Sequence, residues 1–146
     1  MPDDNNLEPA DRIAREPQDC GRILIAALHA GDLDTCVALY EPGAILFKKS
    51  GETMSGHDAI RAANAALIGI QPHFTIEFIK TAVNADGDLA TTRMKASLSG
   101  TRSDGRAVQD TIHTLEVVRR QADGSWRYVI DDPYGSMREG MKELQR

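Results

Sequence analysis

The stretch LEVVRRQADGSWRYVIDDPYG, residues 115–135, decides the fold. Two runs rich in β-branched and aromatic residues flank Asp123-Gly124, and Asp-Gly is a strong hairpin signal because both central positions of a type I′ turn need positive φ. The same dipeptide recurs at Asp86-Gly87 and Asp104-Gly105. Segments near 73–84, 88–101, 106–121 and 125–132 therefore read as an antiparallel meander. Strands of about a dozen residues twist and coil, so the sheet should bend.

Upstream of the meander the periodicity changes from two to 3.6. From Pro17, the residues Cys20, Ile23, Leu24, Ala27 and Leu28 share one helix face and Gly31 ends the run. Asp32 then offers an N-cap to a short helix with the face Leu33, Cys36, Val37 and Tyr40, closed by Pro42 and Gly43. Ala44–Lys49 and Glu52–Ser55 read as a strand pair, and His57–Gly69 as a third helix with Ile60, Ala63, Leu67 and Ile68 on its apolar face. The expected class is α+β, with three N-terminal helices closing the concave side of a curved antiparallel sheet. Residues 1–16 read as a flexible N-terminal arm, 17–135 as the domain and 136–146 as a C-terminal tail.

Two-residue Asp-Gly loops set a register, and cross-strand partners share a face. Around Asp123-Gly124 this places Val117 opposite Ile130 and Leu115 opposite Asp132. Around Asp104-Gly105 it places Leu98 opposite Thr111, Ala96 opposite His113, Met94 opposite Leu115 and Thr92 opposite Val117. The face with Trp126, Tyr128, Ile130, Asp132, His113, Leu115 and Met94 is then the inner one. The first hairpin leaves two registers open: one puts Glu77 and Ile79 inside, the other Phe74, Ile76 and Phe78.

On that face His113 and Asp132 are diagonal neighbours, and a carboxylate beside an imidazole suits general acid/base chemistry. A partly solvated pair that satisfies its own hydrogen bonds at the open end of the sheet is the competing reading. Small inward residues, Ala90, Thr92 and Ala96, leave room for a ligand. The candidate lining is Tyr128, Trp126, Tyr40, Met94 and, in one register, Glu77.

The whole chain has 146 residues, 17 Lys plus Arg against 22 Asp plus Glu, and a net charge of -5. That fits one domain able to build a core without metal or disulfide staples. The acidity and the absence of a basic stripe exclude nucleic acid as the main partner, and favour a ligand that is neutral or bound through its apolar body. No apolar run approaches a membrane span, and the acidic N-terminus is unlike an export signal, so a cytoplasmic protein is expected. The two cysteines, Cys20 and Cys36, fall on apolar helix positions and read as buried thiols. His29, His57, His73 and His113 lack metal-site spacing, and dinucleotide, P-loop and hydrolase-elbow motifs are absent, so neither metal nor cofactor is expected.

The order of these elements, with LYEPGAILFKKSGETMSGHDAIRAA at 39–63 and the stretch quoted first, resembles the nuclear transport factor 2-like superfamily, nearest its SnoaL-like and ketosteroid-isomerase-like branch. The marks are LYEPGA, the helix start Gly56–Arg61 and the segment Asp123–Arg127, within a likeness over residues 17–135. The resemblance implies a cone-shaped, cystatin-like α+β barrel with a deep apolar pocket, and a homodimer through the outer face of the sheet. Steroid isomerases of this kind carry a proton-shuttling Asp where this chain has Lys48, so that route is not carried over. Other branch members use a His or Asp on the late strands, which by position are His113 and Asp132. The expected function is proton transfer on an apolar carbonyl compound by an isomerase, cyclase or dehydratase, with Tyr128 holding the oxyanion. The alternative is a non-catalytic module that binds a hydrophobic ligand or assembles as a dimer.

Overall fold

The computed structural model describes residues 9–135. One turn of 3-10 helix, Pro9–Arg12, precedes α1 (Asp19–Ala30) and α2 (Leu33–Ala38). The α1 stripe Cys20, Ile23, Ala27 and Leu28 is buried, and Gly31, at φ 70°, closes the helix by donating to the carbonyls of Ala27 and Leu28. The Asp32 carboxylate caps α2 by accepting from Thr35 N at 3.2 Å and Thr35 Oγ1 at 2.6 Å.

The short helix stops at Ala38, not beyond Tyr40 as its periodicity suggests. Tyr40 begins β1 (Tyr40–Phe47), which lies parallel to β7 (Trp126–Asp132) with Tyr40 opposite Tyr128 and Ile45 opposite Ile130. A shift of register between Tyr40 and Ile45 absorbs Pro42, which cannot donate to the ladder, and Gly43. Between these strands in sequence come β2 (Thr53–Ser55), α3 (His57–Gly69), β3 (His73–Val83), β4 (Leu89–Thr101), β5 (Ala107–His113) and β6 (Leu115–Arg120). The sheet runs β2-β1-β7-β6-β4-β3, with β5 also on β4. It is curved, mixed and unclosed, with three helices, so the expected α+β fold class holds, and among the described residues the parallel β1–β7 pair is the one departure from an antiparallel sheet.

All three Asp-Gly sites are turns, with Gly87, Gly105 and Gly124 at positive φ. Their loops are longer than two residues. Gln121 N donates to Ser125 O at 2.7 Å and Gly124 N to Gln121 O at 2.9 Å, so Ala122-Asp123-Gly124 is the loop; Arg102 and Arg106 close Ser103-Asp104-Gly105 in the same way. A left-handed glycine serves this turn with its bulge as readily as it serves a type I′ turn. The extra residue moves β5 by one place, so Ala96 faces Ile112 and Leu98 faces Asp110. Every side chain of β5 and β6 therefore changes face. Ile112, Thr114, Glu116 and Val118 are buried, and Thr111, His113, Leu115, Val117 and Arg119 lie on the outer face.

A second irregularity, between Val117 and Val118, restores the expected pairs Leu115–Asp132 and Val117–Ile130 but on the outer side. Trp126 and Tyr128 stay buried, and Asp131 replaces Asp132 inside. In β3 a bulge between Ile76 and Phe78 ends the choice between registers. Phe74, Ile76 and Ile79 pack inward, while Glu77 reaches Lys95 Nζ at 3.0 Å and Phe78 is exposed.

Thr114 divides what reads as one strand over 106–121. Its Oγ1, in place of a backbone carbonyl, accepts from Met94 N at 2.9 Å, and its own N–H donates to Met94 O at 2.9 Å. Behind α3, Thr101 N donates to Ile70 O at 2.8 Å, and a Cβ on Gly100 would lie 2.8 Å from that oxygen. This contact fixes the α3–β3 connection against the sheet and leaves no room there for a side chain.

Cys20 and Cys36 are free and buried, and burial pushes both thiols up to about 12, which leaves them unreactive. The end of the stretch read as an arm is packed: Ala14 is buried and its carbonyl accepts from Trp126 N at 2.9 Å. Residues 1–8 and the tail 136–146 lie outside the described residues.

Candidate functional site

Between the helices and the inner face of the sheet lies a cavity of about 400 Å³. Its walls are mainly apolar: Leu24, Ile25 and Leu28 of α1, Leu67 of α3, and Phe74, Met94, Leu98 and Ile112 of the sheet. Six polar side chains also line it, Tyr40, Asn64, Thr114, Glu116, Tyr128 and Asp131, with Lys48, Lys49 and Tyr134 beside them.

Glu116 on β6 and Asp131 on β7 face each other directly across the ladder, and each is only 4% exposed. The Tyr40 hydroxyl donates to Asp131 Oδ2 at 2.5 Å, and Thr92 Oγ1 donates to Glu116 Oε2 at 2.8 Å. Burial pushes the Glu116 carboxyl up to about 8, helped by the neighbouring Asp131 and opposed by the threonine hydroxyls. Burial also raises Asp131, to about 6, against the lowering effect of the Tyr40 hydrogen bond. Two carboxyls that repel one another in a dry site do not both ionise at neutral pH. The pair holds one proton and presents an acid beside a base.

Tyr40 and Tyr128 lie with ring centroids 4.9 Å apart, and burial raises both phenols well above 10. They remain protonated donors. The Tyr40 proton is held by Asp131, while the Tyr128 hydroxyl has no hydrogen-bond partner among the described residues. No sealed polar side-chain atom among those residues lacks a partner, so this hydroxyl opens on the cavity.

The residues expected at the site divide. Tyr128, Tyr40 and Met94 line the cavity. Trp126 is packed in the core beside it, where its carbonyl accepts from the Cys20 thiol. Glu77 lies on the outer face with Lys95. His113 is outside as well, opposite Lys95 on β4, and Asp132 accepts from Tyr134 N at 3.1 Å in the turn after β7. The longer hairpin loop and the bulge in the last pair of strands put both on the wrong side of the sheet for the cavity. Glu116, Asp131, Thr114 and Asn64 were not legible from a two-residue-loop register; each is one place from a residue that register selects or belongs to a helix face read as apolar. Among the described residues no group of three or more His, Cys, Asp or Glu side chains could hold a metal ion, and no helix is long and apolar enough to cross a membrane.

A curved, unclosed mixed sheet packed against three helices is the architecture of nuclear transport factor 2-like proteins. Within that class the chain belongs to the SnoaL-like family, whose domain profile matches residues 22–129. Similar solved structures share its fold at low identity. A candidate calcium/calmodulin-dependent protein kinase II association domain from Xanthomonas campestris is 22% identical, with 87% of this chain and 90% of that one covered at a TM-score of 0.69. A candidate dehydratase of the nuclear transport factor 2-like family from Streptomyces avermitilis is 16% identical, covering 77% and 88% at 0.66. A ketosteroid isomerase-like protein from Erwinia carotovora atroseptica is 18% identical, covering 79% and 89% at 0.66. No curated protein matches the chain.

Proposed function

We propose that this SnoaL-like protein binds an apolar carbonyl compound in its cavity and moves a proton α to the carbonyl, as an isomerase, cyclase or dehydratase does. One observation carries the reading: Glu116 and Asp131 are paired inside an apolar cavity with their acidities raised to different degrees. Titratable groups whose environments push them apart make an acid and a base in one site. Asp131 in its ionised form takes the proton from carbon. The negative charge that develops on the carbonyl oxygen is met by the Tyr128 hydroxyl and by the proton on Glu116, donors already in place where water is scarce. Returning the proton to another carbon completes an isomerisation, and loss of a β-hydroxyl as water completes a dehydration. No cofactor enters this chemistry.

Exchange of α-protons for deuterium in apolar ketones, followed by NMR in D2O, tests the reading. The wild-type protein should accelerate exchange, with a rate that rises with pH as Asp131 ionises near 6 and falls as the Glu116 proton leaves near 8. Exchange that survives in Asp131→Asn would remove Asp131 from the role of base. The predominantly apolar lining also favours a second reading, capture of a hydrophobic ligand without turnover; binding of the ketones with no exchange would select it. In either case we take the protein to work as a cytoplasmic homodimer joined through the outer face of the sheet, where Leu115 and Val117 are half-buried. A monomeric mass by light scattering would rule the dimer out.

A further inference from the structure

The helical wall of the cavity carries one polar side chain that the proton-transfer chemistry leaves unused. Asn64 stands on α3 in the stripe that buries Ile60, and it is 5% exposed. Its Nδ2 donates to Ile60 O at 2.9 Å, the carbonyl one turn back in the same helix. Its Oδ1 has no partner among the described residues, and since no sealed polar side-chain atom lacks one, this oxygen opens on the cavity that Asn64 lines.

This arrangement is costly unless something occupies it. Asparagine is a poorer helix former than leucine, its side chain competes with the backbone for hydrogen bonds, and a carbonyl facing an apolar space loses solvation. A leucine would fill the same wall beside Leu67 and Met54 without those penalties. The bond to Ile60 holds the amide in one orientation, so the group offered to the cavity is an acceptor. An acceptor in a dry wall recognises a ligand hydroxyl, and a pocket built to pair with a hydroxyl discriminates strongly against a ligand that lacks it.

We propose that Asn64 is a specificity-determining residue, and that the substrate is a hydroxylated carbonyl compound whose hydroxyl donates to Asn64 Oδ1 on the helical wall while its carbonyl lies toward the sheet. The assignment rests on the pocket reading above and names the substrate class that the pocket selects.

The test uses 1-tetralone and a set of ring-hydroxylated 1-tetralones as probes, with binding to the full-length protein measured by calorimetry. At least one hydroxylated member should bind the wild type about tenfold more tightly than 1-tetralone, in line with the discrimination expected of a paired buried hydroxyl. In Asn64→Leu that advantage should vanish while 1-tetralone still binds, and in His113→Ala, on the outer face of the sheet, it should persist. Asn64→Ala, which keeps a good helix former at the position, serves as the second variant should leucine overfill the wall. Equal binding of all members by the wild type, or an advantage that survives both Asn64 variants, would overturn the role of Asn64 and leave the proton-transfer reading standing. Absence of binding by every probe would overturn the pocket reading and this inference with it.

Discussion

Two neighbouring cross-strand pairs on the same two strands, Leu115–Asp132 and Glu116–Asp131, have opposite surroundings. The first lies on the outer face with both side chains half-buried, and Asp132 is occupied with the turn at Tyr134. The second lies in the cavity wall, where burial raises both carboxyls and tyrosine and threonine hydroxyls hold them. The aspartates are adjacent in sequence, so nothing in residue type separates them. What sets Asp131 apart is its place in the dry cavity wall, where burial raises its carboxyl.

Breaking the inner pair should have the largest effect. Asp131→Asn should lower α-proton exchange by about 10²–10⁴-fold, the range for loss of a positioned base, whereas Asp132→Asn should leave the NMR exchange rate unchanged. Core packing sharpens the same contrast: Ile112→Ala, on the inner face, should cost about 2–5 kcal/mol in urea unfolding. Thr114→Val removes the acceptor for Met94 N and should cost about 1–3 kcal/mol by the same measurement.

The pH dependence of stability gives a smaller, signed test. Glu116 and Asp131 have folded acidities raised from the ordinary 4.5 and 3.8 to about 8 and about 6, so the folded state holds protons that the unfolded state has lost. Stability should therefore fall as pH rises from about 4 through 8, the reverse of a salt-bridged carboxylate. Glu116→Gln should flatten that decline, and its melting temperature should exceed the wild type's at pH 8 but not at pH 4. A parallel pair of melting curves would remove the proton from Glu116. The smallest effect belongs outside: His113→Ala should change stability by less than about 0.5 kcal/mol and leave exchange untouched.

Much of the fold is legible in the sequence. The helix stripe from Cys20 to Leu28, the cap at Asp32, the helix over His57–Gly69 and the three Asp-Gly turns all follow from local rules, and all are present. The placement of Tyr128, Tyr40 and Met94 on the cavity was legible too, although Tyr40 reaches it from a strand instead of a helix. Glu116 was hidden by one residue of loop length, and Asp131 by the bulge between Tyr128 and Ile130. Asn64 was hidden differently, since a polar residue four places after Ile60 on an apolar stripe carries no local sign of whether it meets solvent or a cavity.

The sequence by itself determined the class of fold, the strand and helix order, the family likeness and the positions of the turns, because propensity, capping and left-handed glycines act over a few residues. Only the tertiary structure decided which acid faces the cavity. A strand exposes alternate sides with a period of two, so one added loop residue or one bulge exchanges its two faces. The acidity that makes Glu116 and Asp131 useful arises from desolvation, a property of the packed interior around them that no single residue encodes.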